Sequence, residues 1–223
     1  MDLFDILGPV MVGPSSSHTA GAARIGLITR MLLGSEPAKV KIGLYGSFQK
    51  TYLGHGTDKA LIGGLLGMNV DDVRLRDSLR HADEAGLDYS FYNADLRGAH
   101  PNTVLLDVEA QNGENLSVQA VSVGGGEIVI HKINGLEAGF SGHENTLIIT
   151  QKDVKGMIAQ ISSVLTAHSI NIATMRVFRH SVGGEAMMVL EVDGHIAPDL
   201  IEWLKAMPGI FHVAYVAAKD REA

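Results

Sequence analysis

Gly13-Pro14-Ser15-Ser16-Ser17-His18-Thr19-Ala20-Gly21 sets the start of a helix and the expectations for the elements around it. It holds four hydroxyl side chains and one imidazole between Gly-Pro and Ala-Gly. Ala20, Ala23, Leu27 and Met31 follow at helical spacing, widened by Ile28 and Leu32. Ser and Thr directly ahead of such a run act as N-cap residues, so the stretch is expected at a helix N-terminus. Free backbone N–H groups and the positive dipole end suit a carboxylate or phosphate there. The plain alternative is a serine-rich loop with an ordinary cap and a solvated histidine.

Outward from this stretch, residues 1–12 read as an apolar lead-in, a strand or helical turn around 6–11. Gly34-Ser35-Glu36-Pro37 ends the first helix near 33. Alternation over 39–44 predicts a half-buried strand. It runs into a second unusual stretch, Tyr45-Gly46-Ser47-Phe48 and Gly54-His55-Gly56-Thr57-Asp58, ahead of a helix over 60–66. A short helix near 78–85, a strand over 87–93 and a turn at 98–103 follow, with Pro101 biasing His100 away from helix. Asn112-Gly113 marks a hairpin between strands 103–110 and 116–123, and three glycines at 124–126 precede a strand over 127–133.

From 136 to 145 the composition shifts to Gly, Ser, Asn and His, which predicts a linker between a domain over 1–135 and another over 146–223. The second has the order β-α-β-β-α-β, the ferredoxin-like plan. Its strand over 185–192 is apolar at almost every position, so both faces are expected to be covered. The fold class expected for the whole chain is α+β.

Composition narrows the chemistry. Among 223 residues there is no cysteine, hence no disulfide, no thiolate nucleophile and no thiolate ligand for a cluster or structural zinc. A net charge of −7 argues against nonspecific nucleic-acid binding. There is no cationic-then-apolar leader and no apolar run of the ~20 residues that a membrane span needs, so a cytoplasmic protein is expected. The remaining histidines (His81, His131, His143, His168, His180, His195 and His212) make no metal-ligand spacing, H-E-x-x-H is missing, and no metal site is expected on this chain. Met187-Met188 reads as core.

The motif at 13–21, together with Tyr45-Gly46-Ser47-Phe48, Gly54-His55-Gly56-Thr57-Asp58, His100-Pro101-Asn102-Thr103 and Ser122-Val123-Gly124-Gly125-Gly126, resembles the iron–sulfur-dependent L-serine dehydratases in their β portion. That portion is a separate subunit in the two-chain form. The resemblance covers about residues 1–135 and implies a fold related to the allosteric substrate-binding domain of some D-3-phosphoglycerate dehydrogenases. The C-terminal part resembles an ACT domain through Asp153–Ile158 as a loop-to-helix start, Ser169-Ile170-Asn171-Ile172-Ala173, and Met207-Pro208-Gly209-Ile210. Lys155 stands where the common ACT loop has Pro, which weakens the case for an effector at that loop.

The resemblance implies an L-serine ammonia-lyase that eliminates water from L-serine and yields pyruvate and ammonia. Such chemistry needs a base for the α-proton and a Lewis acid for the leaving hydroxide. In the family a [4Fe–4S] cluster meets the second need. With no cysteine here, it is expected on a partner α subunit, and this chain alone is expected to be inactive. Ser15, Ser16, Ser17 and Thr19 are then candidates to hold the substrate, with His55, Asn102 and Thr103 lining the same cleft. His18 is the candidate for proton transfer. For His55 and His100 a packed turn histidine is the competing interpretation. The ACT resemblance implies self-association and an amino-acid effector. A noncatalytic amino-acid sensor for another enzyme is the alternative; a detached phosphoglycerate dehydrogenase regulatory fragment fits less well.

Overall fold

Alternating burial builds the first sheet. Strand β1 (Pro37–Leu44) buries Val40, Ile42 and Leu44 while Lys39 and Lys41 face solvent. β2 (Asp88–Asn93) joins it in parallel, and β3 (Thr103–Ala110), β4 (Asn115–Gly124) and β5 (Glu127–Ile133) continue antiparallel in the order β2-β1-β3-β4-β5. The computed structural model describes residues 11–218, so the expected lead-in at 6–11 lies outside the described residues except for Met11. Two compact units divide the chain, one reaching Gly135 and the other starting at Leu136.

In the first unit α1 (Gly21–Leu33) lies on β4 and β5, and α3 (Thr57–Leu65) packs on α1. Ala20, Ala23, Ile28 and Leu32 of the expected stripe are buried, whereas Leu27 and Met31 are half-buried and Ile25 of α1 is buried in addition; Leu61, Ile62 and Leu65 of α3 are buried too. α4 (Ser78–Ala85) occupies the expected range. The stretch after β1 is more regular than its sequence suggests: α2 (Ser47–His55) is a helix although only Phe48 of it is buried.

The second unit opens with a difference from expectation. Residues 136–145 are not an irregular linker throughout, because Leu136–Phe140 forms strand β6. Leu136, Ala138 and Phe140 are buried and Glu137 is exposed, a period-two pattern obscured by the neighbouring glycines. Then come β7 (Asn145–Lys152), α5 (Met157–Ala167), β8 (Ile172–Arg179), β9 (Glu185–Val192), α6 (Pro198–Lys205) and β10 (Ile210–Val216). The order β10-β7-β9-β8 is antiparallel throughout. Met188, Leu190 and Val192 of β9 join Ile161, Leu165, Leu200 and Leu204 from the helices in one core, and Ala186, Met187 and Val189 are buried as well. Both faces of β9 are covered, as expected.

Candidate functional site

The 13–21 stretch starts a helix, but through a wider turn than an ordinary cap. Residues Ser16–Ala20 make a π-helical turn that continues into α1. Ser15 is extended (φ −140°, ψ 124°), and its hydroxyl accepts the backbone N–H of His18 at 3.1 Å. Its carbonyl accepts from Thr19 and Ala20. The serine cap predicted from sequence is therefore present, one turn ahead of the α-helix.

This turn is clasped from the sheet. Ser122, fully buried near the end of β4, donates its hydroxyl to the carbonyl of Ser17 at 2.9 Å. A Cβ at Gly21 would lie 2.2 Å from that Ser122 hydroxyl, so the residue after the turn has to be glycine. The Ser122 N–H donates to the Asn102 carbonyl, and the Asn102 amide reaches back to the Ser122 carbonyl at 3.4 Å. Ser15–Thr19, the 100–103 turn and the end of β4 are thus one hydrogen-bonded cluster.

His18 sits at its centre. Its Nε2 is 3.0 Å from Ser47 Oγ and its Nδ1 is 3.4 Å from Ser15 Oγ. The Phe48 ring meets it edge-on at 5.3 Å, and the His55 ring lies 4.9 Å away. Burial, and secondarily the neighbouring His55, lower the His18 pKa below the ordinary 6.5. The imidazole is accordingly neutral at pH 7 and able to accept a proton. His55 ends α2, its carbonyl accepts the Thr19 hydroxyl at 3.0 Å, and its Nδ1 is buried without a hydrogen-bond partner.

The structure brings Ser15, Ser16, Ser17, His18, Thr19, His55 and Asn102 together, but not all of them present a usable group. Ser16 and Ser17 are half-buried. Thr19 and Thr103 are buried, and their hydroxyls are spent on the carbonyls of His55 and His100. They hold the turns. His100 is likewise a turn residue, accepting the Asn102 N–H on its Nδ1 at 3.2 Å. The Asn102 side-chain oxygen, by contrast, is buried and has no partner. Glycines 124–126 all take positive φ, a backbone conformation that favours glycine.

Two contacts escaped the residue-by-residue reading: Ser47 on His18, and Ser122 on Ser17. Both lie inside quoted motifs, Ser47 directly after Gly46 and Ser122 two residues before Gly124. A cavity of about 590 Å³ adjoins this cluster, lined by Thr19, His55 and Gly56 with Lys59 and Arg76. Another, of about 420 Å³ on the outer sheet face, lies among Lys39, Lys41, Asp107 and Glu109, away from the His18 cluster.

The family profile described as serine dehydratase beta chain matches residues 1–88, and the ACT domain profile matches 145–209. A protein of Bacillus subtilis (strain 168) named "Probable L-serine dehydratase, beta chain" is 43% identical over 96% of this chain and 97% of its own length. The chain belongs to the serine dehydratase beta chain family. Another member, the L-serine dehydratase beta chain of Peptoniphilus asaccharolyticus, is 37% identical over 88% of this chain and 89% of its own. A D-3-phosphoglycerate dehydrogenase of Bacillus subtilis is 27% identical over 87% of this chain but only 37% of its own length. That match agrees with the regulatory-domain likeness seen in the motifs of this serine dehydratase beta chain.

An iron–sulfur cluster, which this family generally requires, does not fit the donors present. The sequence has no cysteine to supply a thiolate. Among the described residues no group of three or more His, Asp or Glu converges as a metal site either. No helix among the described residues is long and apolar enough to cross a membrane.

Proposed function

We propose that this chain is the β subunit of a two-chain, cytoplasmic L-serine ammonia-lyase that converts L-serine to pyruvate and ammonia. Near-full-length similarity to two L-serine dehydratase beta chains carries the proposal. The [4Fe–4S] cluster belongs to a cysteine-bearing α subunit, because this chain has no thiolate to hold one.

This chain's own residues supply binding and proton handling. The hydroxyls of Ser15, Ser16 and Ser17, with the backbone N–H groups of the turn they start, hold the substrate carboxylate. His55 and the unpaired oxygen of Asn102 line the cleft, while Thr19 and Thr103 fix its walls. His18, neutral at pH 7, is the proton acceptor. The ACT unit pairs with a second copy and takes an amino-acid effector.

Co-purification with a candidate α chain under anaerobic conditions, iron quantitation and a serine-to-pyruvate assay test this. The expected result is turnover by the pair and none by this chain alone; robust turnover by the single chain without metal overturns it. Similarity to a phosphoglycerate dehydrogenase favours a second reading, an amino-acid sensor without catalytic residues. That reading gains if the reconstituted pair is indifferent to His18→Ala and Ser16→Ala while this chain still binds serine.

A further inference from the structure

Two of the sequence motifs, at 45–48 and 100–103, have no role in the function above beyond lining, yet they meet at one point. Gly46 (φ 64°, ψ −117°) turns the chain from β1 into α2, and a Cβ there would lie 2.6 Å from the Pro101 carbonyl oxygen. Only glycine fits. The same carbonyl accepts the Ser47 N–H at 2.7 Å and the Phe48 N–H at 3.4 Å, and the Tyr45 N–H donates to Thr103 at 3.1 Å. Ser47 is therefore pinned on both sides by backbone bonds, and Phe48 beside it is fully buried. The fixed hydroxyl is the one that stands 3.0 Å from His18 Nε2, across a separation of 29 residues.

We propose that Ser47 is a positioning residue for His18: it holds the neutral imidazole in the Nε2–H tautomer and leaves Nδ1, on the side of Ser15, as the basic atom. Hydrogen-bond accounting leads there. Ser15 Oγ accepts the His18 backbone N–H, which keeps its own hydrogen free to be given to Nδ1, and the shorter of the two ring contacts, 3.0 Å against 3.4 Å, is the one at Nε2. Nδ1 then carries no proton, Nε2 does, and Ser47 Oγ accepts from it. The arrangement repeats the logic of a base oriented by a third group, with Ser15 at the substrate-binding end. The backbone clamp from Pro101 is what joins the 45–48 and 100–103 motifs in this fold. Only the catalytic consequence rests on the serine dehydratase reading; the tautomer does not.

The test uses the intact chain, labelled with ¹⁵N at histidine, by NMR above pH 7. Wild type is expected to show His18 as a single Nε2–H tautomer. Ser47→Ala is expected to give a mixture of tautomers, and Ser47→Thr to restore the single form, with the His131 and His212 signals unmoved as a check on folding. An Nδ1–H tautomer in wild type, or an unchanged His18 signature in Ser47→Ala, overturns the proposal. In the reconstituted two-chain enzyme, kcat of Ser47→Ala is expected to fall by about 10- to 100-fold with KM nearly constant. An equal loss in Ser47→Thr and Ser47→Ala counts against positioning. Absence of wild-type turnover counts against the serine dehydratase reading alone, since the NMR result stands without it.

Discussion

His18 concentrates most of what one residue can reveal about this chain. Its imidazole is half-buried between Phe48 and His55, and both burial and the second imidazole disfavour its charged form. Folding therefore lowers its affinity for a proton relative to the unfolded chain, whose histidine titrates near 6.5. Above that pH both states are neutral and His18 adds no pH dependence. As the pH falls below 6.5 the unfolded chain takes up a proton first, so stability drops until the folded-state pKa is also passed. His18→Asn should flatten this acid limb. Urea midpoints compared at about pH 7.5 and about pH 5 check it, the variant losing less than wild type over that interval. An identical loss in both proteins would place the acid sensitivity elsewhere.

At the scale of elements, the crossing of α1 and α3 is set by glycine. A Cβ at Gly64 would lie 2.1 Å from the Ala23 carbonyl oxygen, and one at Gly26 would lie 2.3 Å from that of Leu61. Both obstacles are backbone, so the helices must move apart to admit a methyl group. Gly→Ala in a helix gains about 1 kcal/mol of propensity, whereas overpacking of this kind costs about 1–3 kcal/mol. Gly64→Ala is expected to destabilise. Gly54, in the last turn of α2, has nothing within 4 Å of an added Cβ, so the same substitution there should stabilise by about 0.5–1 kcal/mol. Chemical denaturation of the two variants reads the opposite signs directly. The elements legible in sequence included α1 from its helical spacing, β1 from its alternation, and β3 and β4 from the Asn112-Gly113 turn between them. Helix α2 escaped because it buries a single side chain, Phe48, and so writes no stripe. Strand β6 escaped because Gly139 and Gly142 masked the alternation of Leu136, Ala138 and Phe140.

Over the whole molecule, the motifs foretold which residues converge better than they foretold which hydroxyls stay free. Residues 15–19, 55 and 100–103 do converge, yet sequence could not show that the Thr19 and Thr103 hydroxyls are consumed by carbonyls, because that depends on contacts 36 residues apart in one case. Nor could it supply Ser47 as the partner of His18, since the pairing exists only once α2 is helical and held by Pro101. The second unit has a core of its own, from Leu147 and Ile149 to Leu204 and Val213, and an edge strand, β8, paired on one side by β9. A unit with its own core is expected to fold by itself, and an unpaired edge suits pairing with a second copy. The informative truncation falls after Gly135, where the chain divides into its two compact units. Residues 136–223 expressed alone should unfold in one cooperative transition and sediment as a dimer, while 1–135 should sediment at a lower oligomeric state than the full chain. If 1–135 sediments at the same oligomeric state as the full chain, the second unit is not what joins the copies.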